Sequence, residues 1–462
     1  MRQQDVAPSD RASGEENAAF GRVADFVLGL SPETPPESAR RRAALLLLDT
    51  LGICAAAGPM AAGVIARGAA TRLYAAGGEA DAARMLFDGR RVSLAGAVFA
   101  AATQLDNLDG HDGYNPTKGH IGVVVVPTLA ALAEHRPDLS GPEALAAMIM
   151  GYEVSGRAAI ALHASVSDYH TSGAWNALGV AAMAARLRGL SRAQLREALG
   201  IAEYHGPRSQ MMREIATPTM LHDGSGWGAL AGMSAAILAE AGFTGAPAIT
   251  VEAPEAAPHW ADLGRFWQIE HQYVKPYPIC RWAHAAIDAA RELRLAHGIA
   301  AGQVEAVQVN SFDYAASLFQ GLPETTSKAQ YSLPFPVATM LVHGRIGLEH
   351  ISGAGLADPA VAAMVRRITV AAVPRYQARY PAGRWADVEI RLKDGRVLAS
   401  GETHARGGPE RPYAAQDIVD KFMEFAVPPL GQARAAAIRD AALALPEPGS
   451  RFAGLARHLY AA

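Results

Sequence analysis

Seven stretches in the first half of the chain repeat apolar residues at helical spacing: 42–57, 92–105, 123–134, 142–163, 173–188, 191–204 and 226–241. Several of them are apolar on more than one face. A helix without a polar face has nothing to show to water, so these segments must pack inside a bundle of one another. Alanine and glycine dominate, which lets helix axes approach closely and predicts a tightly packed interior. Two helix starts are readable. Ser140-Gly141 before Pro142 suits a first helical turn, and Ser191 opens Ser-Arg-Ala-Gln, a capping-box pattern.

The pattern changes near residue 245, where alanine–proline loops begin. Beyond a helix at 282–297, strand-like runs occupy 306–312, 368–373, 386–392 and 397–403. Lys393-Asp394-Gly395-Arg396 joins the last two, and Asp-Gly between alternating runs signals a hairpin. Helical periodicity returns at 415–425 and 431–445. The predicted fold is mainly α. A large all-helical domain covers 18–268 and is completed by 405–462, and a smaller α+β lid domain is inserted over 269–404. Residues 1–17 read as a disordered polar tail. With 462 residues, half of them hydrophobic, the chain can bury two such units.

Composition narrows the function. A net charge of −3 with interspersed signs lacks the basic stripe of a nucleic-acid binder. Cys54 and Cys280 stand far apart, which argues against a disulfide framework and for a reducing, cytoplasmic setting. The start of the chain has no apolar core of a signal peptide. The most apolar run, 43–57, carries Asp49 and is too short to span a bilayer, so no membrane segment is expected. P-loop, dinucleotide, G-x-S-x-G and H-E-x-x-H patterns are absent. These absences remove several enzyme classes, and no metal is expected.

Four polar clusters interrupt this apolar sequence. The first runs from Asp106 through Asp109, His111 and Asp112 to His120, between two strongly apolar helices. Taken singly, its acids read as helix caps; together they read as a site on loops held by a rigid scaffold. The second, Asp168-Tyr169-His170-Thr171-Ser172-Gly173, places His170 just outside a helix N-terminus, where backbone N–H groups attract an anion. The third is Thr219-Met220-Leu221-His222-Asp223-Gly224. The fourth, Lys275-Pro276-Tyr277-Pro278-Ile279-Cys280-Arg281 with His284, sets positive charge at the expected domain boundary, and Arg281 has the fork that grips a carboxylate. Clefts between domains are where ligand pockets form.

Together these clusters resemble the MmgE/PrpD family over nearly the whole chain. Leu47-Leu48-Asp49-Thr50-Leu51-Gly52 resembles the family's opening helix, and Asp106 to Asp109 its D-x-x-D segment. The Lys275 to His284 stretch is the most specific match, followed by Tyr331-Ser332-Leu333-Pro334-Phe335 and Arg406-Gly407-Gly408-Pro409. The resemblance implies a helical domain with an α+β lid, a homodimer, no required cofactor, and a cleft lined by Asp106, His120, His170, Lys275 and Tyr331. Its members include 2-methylcitrate dehydratase, cis-aconitate decarboxylase and iminodisuccinate epimerase. There are departures. Gly110 stands where members with aconitate-type activity often have threonine, Ile121 replaces the proline of a His-Pro-Gly turn, and Thr219 stands where a lysine is usual.

The expected partner is therefore a small polycarboxylate, and the expected activity a 2-methylcitrate dehydratase-like lyase. His120 and His170 would be its acid/base pair, in an order left open. Asp106 would orient one of them or share the base role, and Tyr331 would donate a hydrogen bond. Lys275, Arg281, His284 and His222 would hold the substrate. There are two alternatives: an epimerase that uses the same two histidines as a base on each face of one carbon, and a non-catalytic polycarboxylate binder that keeps the Lys275–Arg281 anion site and does not need the histidines.

Overall fold

The computed structural model describes residues 17–460. The predicted tail lies outside them except for Asn17. That residue is ordered as the cap of α1 (Ala18–Gly29), its side chain accepting the N–H groups of Ala19 and Phe20.

The first half is the expected bundle: α2 (Glu37–Ala57), α3 (Ala61–Leu73), α4 (Leu94–Asp106), α5 (Gly122–Ala133), α6 (Gly141–Ser165), α7 (Gly173–Arg188), α8 (Arg192–His205), the short α9 (Met211–Ala216) and α10 (Ser225–Glu240). Every residue of α5 is buried, as are nearly all of α7, so these two are the helices without a solvent face. α7 packs against α6, α8 and α10, and α10 also covers α4. Gly173 makes this possible at the start of α7. A Cβ there would sit 2.3 Å from the carbonyl oxygen of Gly224, so no larger residue fits between α7 and the turn entering α10. The expected capping box of Ser191 with Gln194 forms, and the start read at Ser140 carries one as well, with Glu143. α6 is long and apolar enough to cross a membrane, yet 94% of its apolar stretch is buried within the protein, as in a core helix.

The bundle is not purely helical. β1 (Ala82–Arg84) and β2 (Arg91–Ser93) pair as an antiparallel hairpin before α4. Three-residue strands are too short to show an alternating pattern, which is why the sequence reads through them.

The α+β layer begins with α11 (His284–His297) and contains the second sheet. Strands β3 (Val304–Ser311), β4 (Ile368–Ala372), β5 (Trp385–Leu392) and β6 (Val397–Ala399) lie in the order β4-β3-β5-β6, with β7 (Thr403–His404) also pairing β5. β3 and β4 run parallel and the other pairs antiparallel. The Asp394-Gly395 hairpin forms, with Gly395 at positive φ. The expected strand 397–403 is split into β6 and β7 around Gly401, which also has positive φ. α11 packs on β5 and on α12 (Pro334–His343).

The chain then returns to the bundle. α13 (Ala415–Leu430) lies along α2, and α14 (Gln432–Leu443) follows it. At the crossing, Lys421 of α13 pairs with Asp49 of α2 at 2.6 Å, with both side chains buried. The same ammonium donates to the carbonyl of Gly110 at 2.7 Å. A helix from the far end of the chain thus fixes the loop that follows α4. Breaking a buried pair from one side leaves an uncompensated charge, which costs about 3–5 kcal/mol. Lys421→Met should lower stability by that order in urea unfolding, and removing Asp49 as well should recover part of it. A Lys421→Met variant as stable as the parent would show that the pair carries no such load.

Candidate active site

The loop from α4 to α5 carries the first polar cluster. It is pinned by reciprocal backbone bonds between Gly113 and Tyr273 and by a bond from Tyr114 N–H to Gly119 O. Asp109 sits at φ 53°, a left-handed conformation uncommon for a residue with a side chain. This turns its carboxylate inward. There the fully buried Lys275 donates to Asp109 Oδ1 and also to the Asp109 carbonyl, the latter at 3.0 Å. Burial raises the Asp109 pKa, and the ammonium beside it opposes the rise.

His120 stands next to this pair. Its Nδ1 lies 2.7 Å from the Asp112 carbonyl, which can only accept, so Nδ1 carries the proton and Nε2 keeps a lone pair. That Nε2 is 4.0 Å from Asp109 Oδ1. His111 packs edge-on against His120 with ring centroids 4.7 Å apart, and neither of its nitrogens has a hydrogen-bond partner. Its Nε2 is 4.0 Å from Asp106 Oδ1. Burial, reinforced by the neighbouring positive charges, holds both rings neutral, far below the ordinary histidine range.

Asp106 accepts the Ser225 N–H at 3.1 Å. Its neighbour Asp223 accepts from the Ser172 hydroxyl, which in turn accepts the His120 N–H at 3.0 Å. Burial raises both carboxyls, Asp223 to about 6, and the charge of Asp223 pushes Asp106 up further. Two buried carboxyls this close hold a proton where an exposed pair would not. Gly119 allows the approach, since a Cβ there would lie 2.4 Å from Ser172 Oγ.

His222 completes the group from the turn before α10, at φ 46°. Its Nδ1 is 3.5 Å from the Tyr331 hydroxyl, and its Nε2 is buried without a partner. Burial and the Lys275 charge lower its pKa to about 3. Asp106 and His222 both line a cavity of about 540 Å³ that also touches Asn107, Thr171 and Gly224.

Three expected residues take other positions. His170 is not joined to His120. Its N–H points to His163 Nε2 at 3.3 Å, its backbone bridges to Gln210, and the charges acting on it are those of Arg208 and Asp168. Arg281 does not present a free fork. Its two terminal nitrogens donate to the carbonyls of Arg406 and Ala405 at 2.6 and 3.2 Å, and the guanidinium lies 4.4 Å over the Tyr273 ring. Burial drops its pKa to about 10. His284 bonds the Ile279 carbonyl at 2.8 Å through Nε2. Arg281 and His284 therefore brace the backbone around Lys275. Sequence reasoning passed over Asp109, His111 and Asp223 as site residues, although all three lie inside the polar clusters that it had marked.

Asp109, His111 and His120 bring one ligand atom each to within 4.8 Å of one another, which is the geometry of a metal site. Lys275 already neutralises Asp109, so a divalent ion would meet a fixed ammonium on one of its three ligands.

Residues 21–256 match the MmgE/PrpD N-terminal domain and residues 277–447 the MmgE/PrpD C-terminal domain. Among curated proteins, the chain is similar to cis-aconitate decarboxylase of Homo sapiens, 26% identical with 71% of each chain covered. The Mus musculus protein of the same name is 25% identical over 71% of this chain and 70% of its own length. That of Aspergillus terreus is 23% identical over 94% and 95%.

One electrostatic consequence concerns Asp112, fully buried beneath the site. Burial is the main cause that lifts its pKa to about 7 from an ordinary 3.8, with the Asp49 charge adding to it. The folded protein keeps this proton after the unfolded chain has released it. Stability is therefore lost as pH rises from about 4 to about 7. Asp112→Asn should remove that loss, gaining on the parent by more than about 1 kcal/mol between pH 5 and pH 8 in urea unfolding. An opposite trend would mean that the carboxylate is held charged.

Proposed function

The chain belongs to the MmgE/PrpD family, and on that premise we propose that it is a lyase acting on a small di- or tricarboxylate by proton transfer next to a carboxylate. The observation that carries this reading is the cavity floor. Asp106, which keeps its proton, and His222, which stays neutral with a free nitrogen, share it. Two titratable groups pushed apart by their surroundings are what acid/base chemistry at neutral pH requires.

In a dehydration, His222 takes the proton from the carbon beside the substrate carboxylate. Asp106 gives its proton to the leaving hydroxyl, water departs and a carbon–carbon double bond forms. Charge building on the substrate carboxylate is offset by the field of Lys275, which lies behind the floor in its pair with Asp109. Tyr331 steadies His222, and neutral His120 stands beside the Asp109–Lys275 pair. His222 thus takes the role expected of His170. The reading keeps the cofactor-free chemistry and the homodimer that the resemblance implies, and the cytoplasmic setting expected from the two lone cysteines. A second reading, decarboxylation of an unsaturated carboxylate, is favoured by the activity for which the similar human, mouse and Aspergillus proteins are named.

Incubation with 2-methylcitrate, citrate and cis-aconitate in deuterated water separates the outcomes. Dehydration gives a new double bond without CO₂. Decarboxylation gives CO₂ and one solvent deuteron on carbon. Epimerisation gives the deuteron with neither. His222→Ala and Asp106→Asn should each lower kcat by about 10²–10⁴-fold. An effect confined to KM would reduce both residues to substrate binding, and no turnover or binding of any polycarboxylate would end the proposal.

A further inference from the structure

The cavity above Asp106 and His222 has two unlike halves. Its floor is polar, made by Asp106, Asn107, Thr171 and His222. Its outer wall is apolar, made by Phe99, Pro207, Met220, Leu221 and Trp227. The wall is a built surface. Phe99 and Trp227 meet edge to face with ring centroids 5.5 Å apart. The segment that carries Met220 and Leu221 is tied down at both ends. The buried carboxylate of Glu214 accepts the Thr219 N–H at 2.7 Å and its hydroxyl at 3.0 Å. Asn107, at the end of α4, donates to the Met220 carbonyl at 3.0 Å, and Gly224 N–H bonds the Leu221 carbonyl at 3.1 Å. Held in this way, Met220, Leu221 and Trp227 remain 50%, 71% and 54% exposed.

Size points the same way as chemistry. Cavities of roughly 300–1,000 Å³ enclose drug-sized ligands, and a small polycarboxylate seated on the floor leaves much of this 540 Å³ unfilled. Arg213 and Gln210 also line the cavity, and the exposed Arg213 has no ion pair among the described residues, so it can draw an anionic ligand inward.

We propose that the substrate carries, beside its carboxylates, an alkyl or aryl arm longer than a methyl group that lies along Phe99, Met220, Leu221 and Trp227. The proposal rests on the lyase reading of the floor, and it names the class of compound: a polycarboxylate extended by one apolar substituent. The carboxylate end meets His222 and Asp106, with the charge of Lys275 behind them, and the arm displaces water from the outer wall. The cavity joins this wall to the acid/base floor, which is why the occupant is a substrate arm rather than a protein surface.

The test is a homologous series, citrate bearing a methyl, butyl, hexyl or benzyl substituent, measured for kcat/KM and, by calorimetry, for affinity. Each methylene buried on the wall should raise kcat/KM by about twofold to fourfold until the cavity is full. Trp227→Ala and Leu221→Asp should flatten that slope. Turnover that is highest for the methyl compound and falls with length overturns the arm and leaves the lyase standing. Affinity that climbs with length without turnover supports the arm and removes the lyase. A slope untouched by both variants overturns the placement. So does a second copy of the chain that covers this wall, seen as self-association lost in Trp227→Ala with an unchanged length profile.

Discussion

The ion pair between Lys275 and Asp109 is the contact on which the site depends. It joins the segment entering the α+β layer to the loop leaving α4, and its ammonium has no exposure at all. Removing two charges from water is costly and is offset only by close pairing and further hydrogen bonds. Here Lys275 makes two bonds to one residue, and Asp109 takes a left-handed backbone to provide them. Around the pair, each neighbouring strut holds backbone in place. Arg281 ties down 405–406, His284 ties down 279, and Lys421 ties down Gly110.

The charge of Lys275 then sets the chemistry of what surrounds it. His111, His120, His222 and His284 are all depressed first by burial and then by nearby positive charge, of which Lys275 is part in every case. The carboxyls of Asp106 and Asp223 lie in the same interior and are raised. The ordinary order is inverted: the imidazoles are bases without a proton, and a carboxyl is an acid that has kept one. Neither state needs a cofactor. Both follow from a low-dielectric interior that holds fixed cations, Lys275 with Arg281 and Lys421.

Much of this was legible before any coordinates. The 3.6-residue period of 142–163 and 173–188 gave α6 and α7 to within a few residues, because a helix buried on all sides leaves no ambiguity of face. Asp394-Gly395 gave the β5–β6 hairpin because only certain residues accept its turn. What sequence did not reveal is how the clusters pack against one another. His170 and His111 look alike in sequence, each a histidine within two residues of an acid in a polar break. Only tertiary packing turns His111 to His120 and hands His170 to His163 and Gln210. Arg281 read as a carboxylate fork because sequence does not reveal that the carbonyls of Ala405 and Arg406 would otherwise go unpaired in the interior. The β1–β2 hairpin was hidden by its brevity.

Thr219 shows how a departure from the family pattern becomes structure. A lysine at this position would add a second cation above the cavity floor. The threonine instead binds the buried carboxylate of Glu214 through both its N–H and its hydroxyl. Charge that would have faced a substrate carboxylate is replaced by an anchor for the segment carrying Met220 and Leu221. Lys275 stays behind the floor as the charge acting on His222, and Phe99, Pro207, Met220, Leu221 and Trp227 bound the outer side of the space above it. On the proposed reading, giving up a cation and gaining a fixed apolar wall exchanges affinity for one carboxylate for affinity for hydrocarbon. The fold tolerates the exchange because the wall hangs from α4 and α9 through backbone bonds, while Lys275 and Asp109 beneath it stay as they are.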